Sequence, residues 1–506
     1  MHPFLPRLLL VAASVAASVD LPAQRRSAPR DPFAGVDSVI QAAMKAWKVP
    51  GLAVAVTTRD SVIFARGYGV RKLGDPTPVD TRTLFAIGSA SKAFTGASLA
   101  LLTDDKKLGM DDRVIDHLPW FQMYDPWVTR ELRLRDLLLH RSGLERGDLS
   151  WYSTSRSREE IVRTVRHLPP TTSFRTRFQY QNLMYITAGE VIRQASGMTW
   201  DDFVRTRIFT PLGMTASNTS VRALEGQVNV AQPHADLGGI RAIPYRNIDN
   251  AGAAGSINSN VEDMSRWIRL WLNGGRAGSQ RILSEEMTRE AMRSQHTMDD
   301  PYLTALLNAP QFPGYAFGWF VAAFRGKRHI GHGGNIDGMA TMVGFLPDDG
   351  IGVVVLTNMN QTSMTVPLVN HLFDRALGLT PSDDFTPYRA AEEAFMKRLA
   401  GAPPAVATGT RPSVALDAYV GTYRHTMFGT ATVRLAEGKL SISYDASPIA
   451  IGDLAHHQYD TFMATMRDPM MGKVPVTFRI GAGGQVDGVA FPLMGADGEW
   501  VRERTR

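Results

Sequence analysis

The sequence predicts an α+β domain followed by a small all-β module, and three observations carry that prediction. β-rich runs stand at both ends of the segment from Asp37 to Leu379, with helical periodicity between them, so one antiparallel sheet can draw strands from both ends and pack helices on its faces. The run that follows Ser89 stays apolar nearly all round through Leu99-Ala100-Leu101-Leu102, as a helix in the protein interior must. From Ala415 onward short strands alternate with Gly turns, a spacing that suits a small barrel or sandwich. At 506 residues the chain is too long for one compact domain.

The elements follow in order. Arg7 and the apolar and small run Leu8 to Val19, closed by Asp20 to Gln24, read as a secretory signal peptide over 1–23. A polar linker over 24–36 comes next. Val36, Ile40, Met44 and Trp47 recur at helical spacing. Leu52 to Thr57 and Ser61 to Gly67 read as a hairpin around Arg59-Asp60. A helix is expected to begin at Ser89. Further helices are expected over Leu132 to His140, Arg158 to His167 with Ser157 as cap, Met184 to Ala195, Asp201 to Ile208 and Val261 to Leu272. Strands return at Phe317 to Phe324, His329-Ile330, Thr341 to Leu346 and Gly352 to Leu356, and Val366 to Leu377 is helical. The hydrolase-like segment is thus 37–379. A linker with one helix near Ala390 to Leu399 occupies 380–412, and the β-module occupies 413–506.

Composition excludes several functions. The net charge of +6 is spread over a long chain with no run of five Lys or Arg, so no nucleic-acid partner is expected. There is no cysteine, which removes disulfides, thiolate catalysis, Cys-based zinc sites and a lipidated N-terminal Cys. Leu8 to Val19 is too short to span a bilayer comfortably, and no other segment reaches that length, so no stable membrane anchor is expected after signal cleavage. The expected location is the periplasm or the exterior.

Three constellations carry chemistry. Ser89 and Lys92 stand one helical turn apart and share a face, a hydroxyl with an amine as base. The same four residues also suit a plain helix cap with a solvated lysine. Tyr180-Gln181-Asn182 would present a phenol and an amide on one side if extended, or else a core tyrosine and a helix cap. In Gly331-His332-Gly333-Gly334-Asn335, glycines around a histidine permit close approach of backbone to a ligand, or simply form a turn. His329-x-x-His332 lacks a clear third ligand for zinc, and no metal or cofactor is expected. G-x-S-x-G, G-x-G-x-x-G and Walker A patterns are absent.

Taken together, these motifs resemble the serine β-lactamase and penicillin-binding-protein superfamily, in its class C-like branch with family VIII carboxylesterases and D-aminopeptidases. Ser89-x-x-Lys92 stands where that family has its nucleophile and base, and Tyr180-x-Asn182 matches its Tyr-x-Asn element. His332-Gly333-Gly334 stands where lactamases carry Lys-Thr-Gly and esterase-like relatives carry His-x-Gly. Leu138 to Leu144, Pro211-Leu212-Gly213-Met214 and Ala251 to Gly255, followed by Asp263, agree. The resemblance implies a helical subdomain set into an antiparallel sheet. It implies acyl transfer through Ser89, with Lys92 and Tyr180 moving the proton and the N–H groups of Ser89 and Asn335 holding the oxyanion. Asn182, His332, Gly333 and Gly334 would bind substrate. The module from Val414 resembles a lipocalin-like barrel, through which a homo-oligomer could form. A histidine in place of the lysine favours ester, amide or D-amino-acid peptide substrates over β-lactams. A β-lactamase, or a non-catalytic penicillin-binding or peptidoglycan-sensing protein, is the alternative.

Overall fold

A computed structural model describes residues 31–298, 313–400, 406–494 and 498–503. The expected signal peptide and most of the linker after it lie outside the described residues. Among those residues no helix is long and apolar enough to cross a membrane.

Helix α1 (Val36–Trp47) leads into strands β1 (Gly51–Thr58), β2 (Val62–Lys72) and β3 (Asp75–Pro78). Helices α2 (Lys92–Asp104), α3 (Asn182–Ser196) and α4 (Val261–Leu272) belong to the middle of the chain. Strands β4 (His296–Thr297), β5 (Gly314–Tyr315), β6 (Phe320–Phe324), β7 (Lys327–Ile336), β8 (Met339–Leu346) and β9 (Ile351–Thr357) follow. Among the described residues these nine strands form one sheet in the order β4-β5-β6-β7-β8-β9-β1-β2-β3. β1 therefore pairs with β9, and the two ends of the domain share one sheet, as expected.

Burial on both faces explains why β1 is almost uniformly apolar. Successive side chains point to opposite faces. Leu52, Val54 and Val56 pack with α1 and with α5 (Thr365–Ala376), whereas Ala53 and Ala55 join the cluster that holds Trp267 and Ile268 of α4. The small alanines leave room for those larger side chains. Helix α6 (Phe385–Ala400) is longer than expected and is docked rather than loose. Trp47 Nε1 donates to its Glu392 at 2.5 Å, Tyr388 is buried, and Arg325 pairs with Asp384 just before it at 3.0 Å.

The C-terminal module is a closed barrel of eight strands among the described residues, running from Gly421–His425 to Glu499–Arg502, which pair to close it. Lys473–Ile480 alternates exposed and buried residues with period two. The buried residues include Tyr419, Tyr423, Phe462 and Phe478, in ring contact with one another, and Trp500, which stacks on Phe491. The barrel docks beside the catalytic segment. Arg156 Nη1 donates to Met427 O at 3.0 Å, Ser155 N donates to Ala446 O at 3.1 Å, and Arg246 pairs with Asp468 at 2.9 Å.

Candidate active site

The helix expected from Ser89 begins one turn later. Gly88–Ser91 is a tight 3₁₀ turn, and α2 takes over at Lys92. Gly88 has φ +50°, a conformation that favours glycine. This turn tips Ser89 out of the core: it stays partly exposed while Ala90, Ser91 and Lys92 are buried. The turn is held from both sides. Ile87 N donates to Ile257 O at 2.9 Å, Thr341 Oγ1 donates to Ile87 O at 3.0 Å, and Ser91 Oγ accepts from Ile257 N at 3.2 Å.

His332-Gly333-Gly334 lies inside β7, not in a turn. Its pairing with β6 ends at Gly331, while pairing with β8 continues to Ile336. The strand therefore presents one unpaired edge beside the serine turn. A Cβ on Gly334 would lie 1.8 Å from Ile87 O, so glycine is required for the approach. A Cβ on Gly333 would meet its nearest atom at 3.5 Å, an ordinary contact, so that glycine answers no such need. A Cβ on Gly88 would lie 2.9 Å from Asn335 N. The Asn335 N–H thus stands next to the turn that carries the Ser89 N–H, which as a first-turn donor has no partner within its helix. Two backbone donors beside one hydroxyl suit an oxyanion.

Lys92 is fully buried. Its Nζ lies 3.1 Å from Ser89 Oγ, 2.8 Å from Asn182 Oδ1 and 2.8 Å from Ala254 O. Burial, reinforced by the Arg146 charge and opposed by Asp148, holds its pKa well below the usual lysine range. A neutral amine has two N–H donors and one lone pair. Asn182 Oδ1 and Ala254 O offer only acceptors, and Ser89 Oγ is the third oxygen within reach, so the remaining position of the amine faces the serine hydroxyl. Asn182 is fixed in turn: its Nδ2 donates to Asp148 Oδ1 at 3.0 Å.

Burial raises the phenol pKa of Tyr180, and Ser89 works against that shift. The Tyr180 ring centroid lies 4.8 Å from Lys92 Nζ and stacks on His140 at 4.2 Å. Gln181 is extended, with φ −135° and ψ 118°, and its side chain caps α3, so Asn182 is the first helical residue rather than the cap. Ser89, Lys92, Tyr180 and Asn182 thus meet at one point, with Asn335 N–H alongside.

His332 lies at the edge of this group. Tyr315 O–H donates to its Nε2 at 2.9 Å, and its Nδ1–H donates to Gly333 O at 2.5 Å. Burial, with a smaller contribution from Lys92, pulls its pKa down to about 3. Both ring nitrogens are therefore engaged with the scaffold. His329 projects from the opposite face of β7, against Phe324 and Phe373, so the two histidines do not converge.

Sequence reasoning passed over His140, Arg146 and Asp148. His140 Nδ1 accepts from Gln181 N at 2.9 Å and supports the Tyr180 ring. Asp148 bridges Arg146, Asn182 and Trp151. Their signal was Leu138 to Leu144 and the polar Glu145-Arg146-Gly147-Asp148 that directly follows, in an otherwise apolar neighbourhood.

Comparison with known proteins follows this geometry. The β-lactamase family model matches residues 36–372, and a family described as a domain of unknown function matches 405–503. The unguisins hydrolase ungD of Aspergillus violaceofuscus is 28% identical over 442 residues, covering 79% of this chain and 76% of that one. Penicillin-binding protein 4 of Amycolatopsis lactamdurans is 29% identical over 354 residues, covering 67% and 89%. Among solved structures, the octameric penicillin-binding protein homologue from Pyrococcus abyssi superposes with TM-score 0.63 at 19% identity, covering 93% of this chain and 100% of that one. The D-amino acid amidase from Ochrobactrum anthropi gives TM-score 0.56 at 21% identity, covering 72% and 99%. These two likenesses are of fold. The chain belongs to the β-lactamase family, with the serine β-lactamase and penicillin-binding-protein fold and a C-terminal eight-stranded barrel.

Proposed function

We propose that this protein is an exported serine hydrolase that cleaves ester or amide bonds, including those of D-amino-acid peptides, through an acyl-enzyme on Ser89. The observation that carries the reading is the fully buried Lys92 Nζ, 3.1 Å from the Ser89 hydroxyl and held from the other side by Asn182 Oδ1 and Ala254 O. Lys92 takes the proton as Ser89 Oγ attacks the carbonyl. The N–H groups of Ser89 and Asn335 receive the developing oxyanion; losing one such donor typically costs about 10²- to 10³-fold in rate. Tyr180, kept protonated by burial and with its ring beside Lys92, returns a proton to the leaving group, while Asn182 holds Lys92 and orients substrate. Water then releases the acyl group by the reverse path.

The substrate preference is supported by the uncharged state of His332, which offers no fixed cation in β7, and by the unguisins hydrolase and D-amino acid amidase among the similar proteins. A second reading, penicillin binding without rapid turnover, draws on the similarity to penicillin-binding protein 4. The leader-like N-terminus supports a periplasmic or secreted location. The octameric Pyrococcus abyssi homologue makes a homo-oligomer the assembly to seek by light scattering. Mature protein should hydrolyse p-nitrophenyl butyrate or a D-aminoacyl amide faster than a chromogenic cephalosporin, and Ser89→Ala should abolish the activity. Undiminished activity in that variant would refute the reading; stable acylation by a fluorescent penicillin with no turnover of any substrate would favour the second.

A further inference from the structure

One buried histidine grips the backbone on either side of Tyr180. The short helix Leu134–Leu138 ends beside α3, where Tyr185 Oη donates to Leu138 O at 2.7 Å. Two residues on, His140 has φ +53°, a left-handed conformation that a non-glycine residue adopts rarely and at a cost. The residue is fully buried. Its carbonyl accepts from Gln179 N at 2.7 Å, and its Nδ1 accepts from Gln181 N at 2.9 Å. Its ring stacks on the Tyr180 ring at 4.2 Å, with 28° between the planes. The amides before and after Tyr180, and one face of its ring, thus all end on a single residue.

A backbone N–H can only donate, so Nδ1 must keep its lone pair and the proton of the neutral ring sits on Nε2. That nitrogen is buried and has no hydrogen-bond partner. The rings of Phe178, Tyr185 and Tyr315 pack around the imidazole, with centroids 5.3, 5.3 and 4.7 Å from its own. A second proton would set a donor against the Gln181 N–H and bury a charge near Lys92. Burial first, and Lys92 next, accordingly hold the pKa well below the usual histidine range. A buried donor without an acceptor and a left-handed backbone both lower stability. They occur together at one residue, and its three contacts converge on Tyr180.

We propose that His140 is a positioning residue that fixes the Tyr180 phenol through a neutral imidazole, protonated at Nε2 and accepting at Nδ1 from the Gln181 amide. The inference rests on the part given to Tyr180 in the mechanism above. A misplacement of about 1 Å between reacting groups costs about 10²-fold in rate, so a slack clasp is read in kcat.

The test is a double-mutant cycle in the full chain with p-nitrophenyl butyrate. His140→Phe keeps a stacked ring and loses the acceptor; it should lower kcat at least tenfold with KM within twofold of wild type. His140→Asn tolerates the left-handed backbone and offers an amide oxygen near the place of Nδ1, so it should stay within about fivefold of wild type. In a Tyr180→Phe background, His140→Phe should cost less than a further twofold, because the phenol it positions is gone. A general loosening of the fold would cost the same in both backgrounds. Equal losses in the two backgrounds, a loss below twofold in His140→Phe alone, or an Asn variant as slow as the Phe variant would overturn the proposal. Should His140→Phe not fold, ¹⁵N NMR of the wild-type imidazole decides, with the signal assigned by its loss in His140→Asn. Nε2 should carry the only ring proton from pH 7 down to pH 5, and an Nδ1–H or doubly protonated ring would overturn the proposal. Full activity in Tyr180→Phe alone would refute the part given to Tyr180 in the mechanism instead.

Discussion

Lys92 and His332 are two buried basic side chains of one site, and their surroundings differ. Both are desolvated, and both are driven toward the neutral form by burial. At Lys92 the surroundings supply two acceptors, Asn182 Oδ1 and Ala254 O, and in the mechanism proposed above these take the N–H donors and leave the lone pair to Ser89. At His332 the surroundings supply one donor, Tyr315 O–H, and one acceptor, Gly333 O, which consume both nitrogens. Burial makes a base available, and the count of donors and acceptors around it decides whether any capacity is left for chemistry.

The comparison is open to direct attack. Lys92→Met keeps the volume and removes the lone pair; it should lower kcat/KM for a p-nitrophenyl ester by about 10⁴-fold, the upper end for a general base. Tyr180→Phe should cost about 10²-fold, in kcat more than in KM, because the proton relay to the leaving group is lost while the wall remains. His332→Asn should cost less than about tenfold in the same steady-state assay, since no proton moves through that ring. In the wild type, kcat/KM should fall on the acid side as Lys92 is protonated, with no separate histidine inflection between pH 5 and 8, because His332 titrates at about 3. A loss in His332→Asn as large as that in Lys92→Met would erase the distinction.

The smallest effects concern stability. Tyr315→Phe leaves His332 Nε2 buried without a donor and should destabilise the fold by about 1–3 kcal/mol in urea titration. His332 binds its proton at about 3 when folded and near its ordinary value of 6.5 when unfolded. Between those values the unfolded state holds the extra proton, so stability falls as pH drops from 6.5 toward 3. One such group contributes a slope of up to about 1.4 kcal/mol per pH unit. His332→Asn should remove one proton's share from the measured slope.

Much of this was legible in the sequence where periodicity and burial act locally. The boundaries Val261–Leu272 of α4 follow directly from an amphipathic pattern between Asn260, which caps it, and Asn273-Gly274. The all-round apolar α2 announced an interior helix, and its first turn announced a nucleophile. Two kinds of information were out of reach. The 3₁₀ turn at Gly88–Ser91 depends on contacts with Ile257 and Thr341, far away in the chain, so local reading placed the helix start at Ser89. His332 read equally well as a turn residue because Gly331, Gly333 and Gly334 look like turn formers; the Gly334 requirement comes from Ile87 packed across the strand. In the barrel, Ile451–Gln458 and Thr461–Met466 were not read as strands, since Gly452, Asp453, Ala464 and the paired histidines dilute their β-character. Asp148 and Arg146 were missed because their importance lies in what they touch, Asn182 and Tyr180.

The central claim, that the fold holds Lys92 as a neutral amine whose lone pair faces Ser89, is tested most directly by NMR of the full chain labelled with ¹³C at lysine Cε. The signal that disappears in Lys92→Met should sit at the neutral-amine position at pH 7, while the other lysines titrate near their ordinary value of about 10.4. An ammonium signal for Lys92 at pH 7, titrating with the rest, would contradict the account.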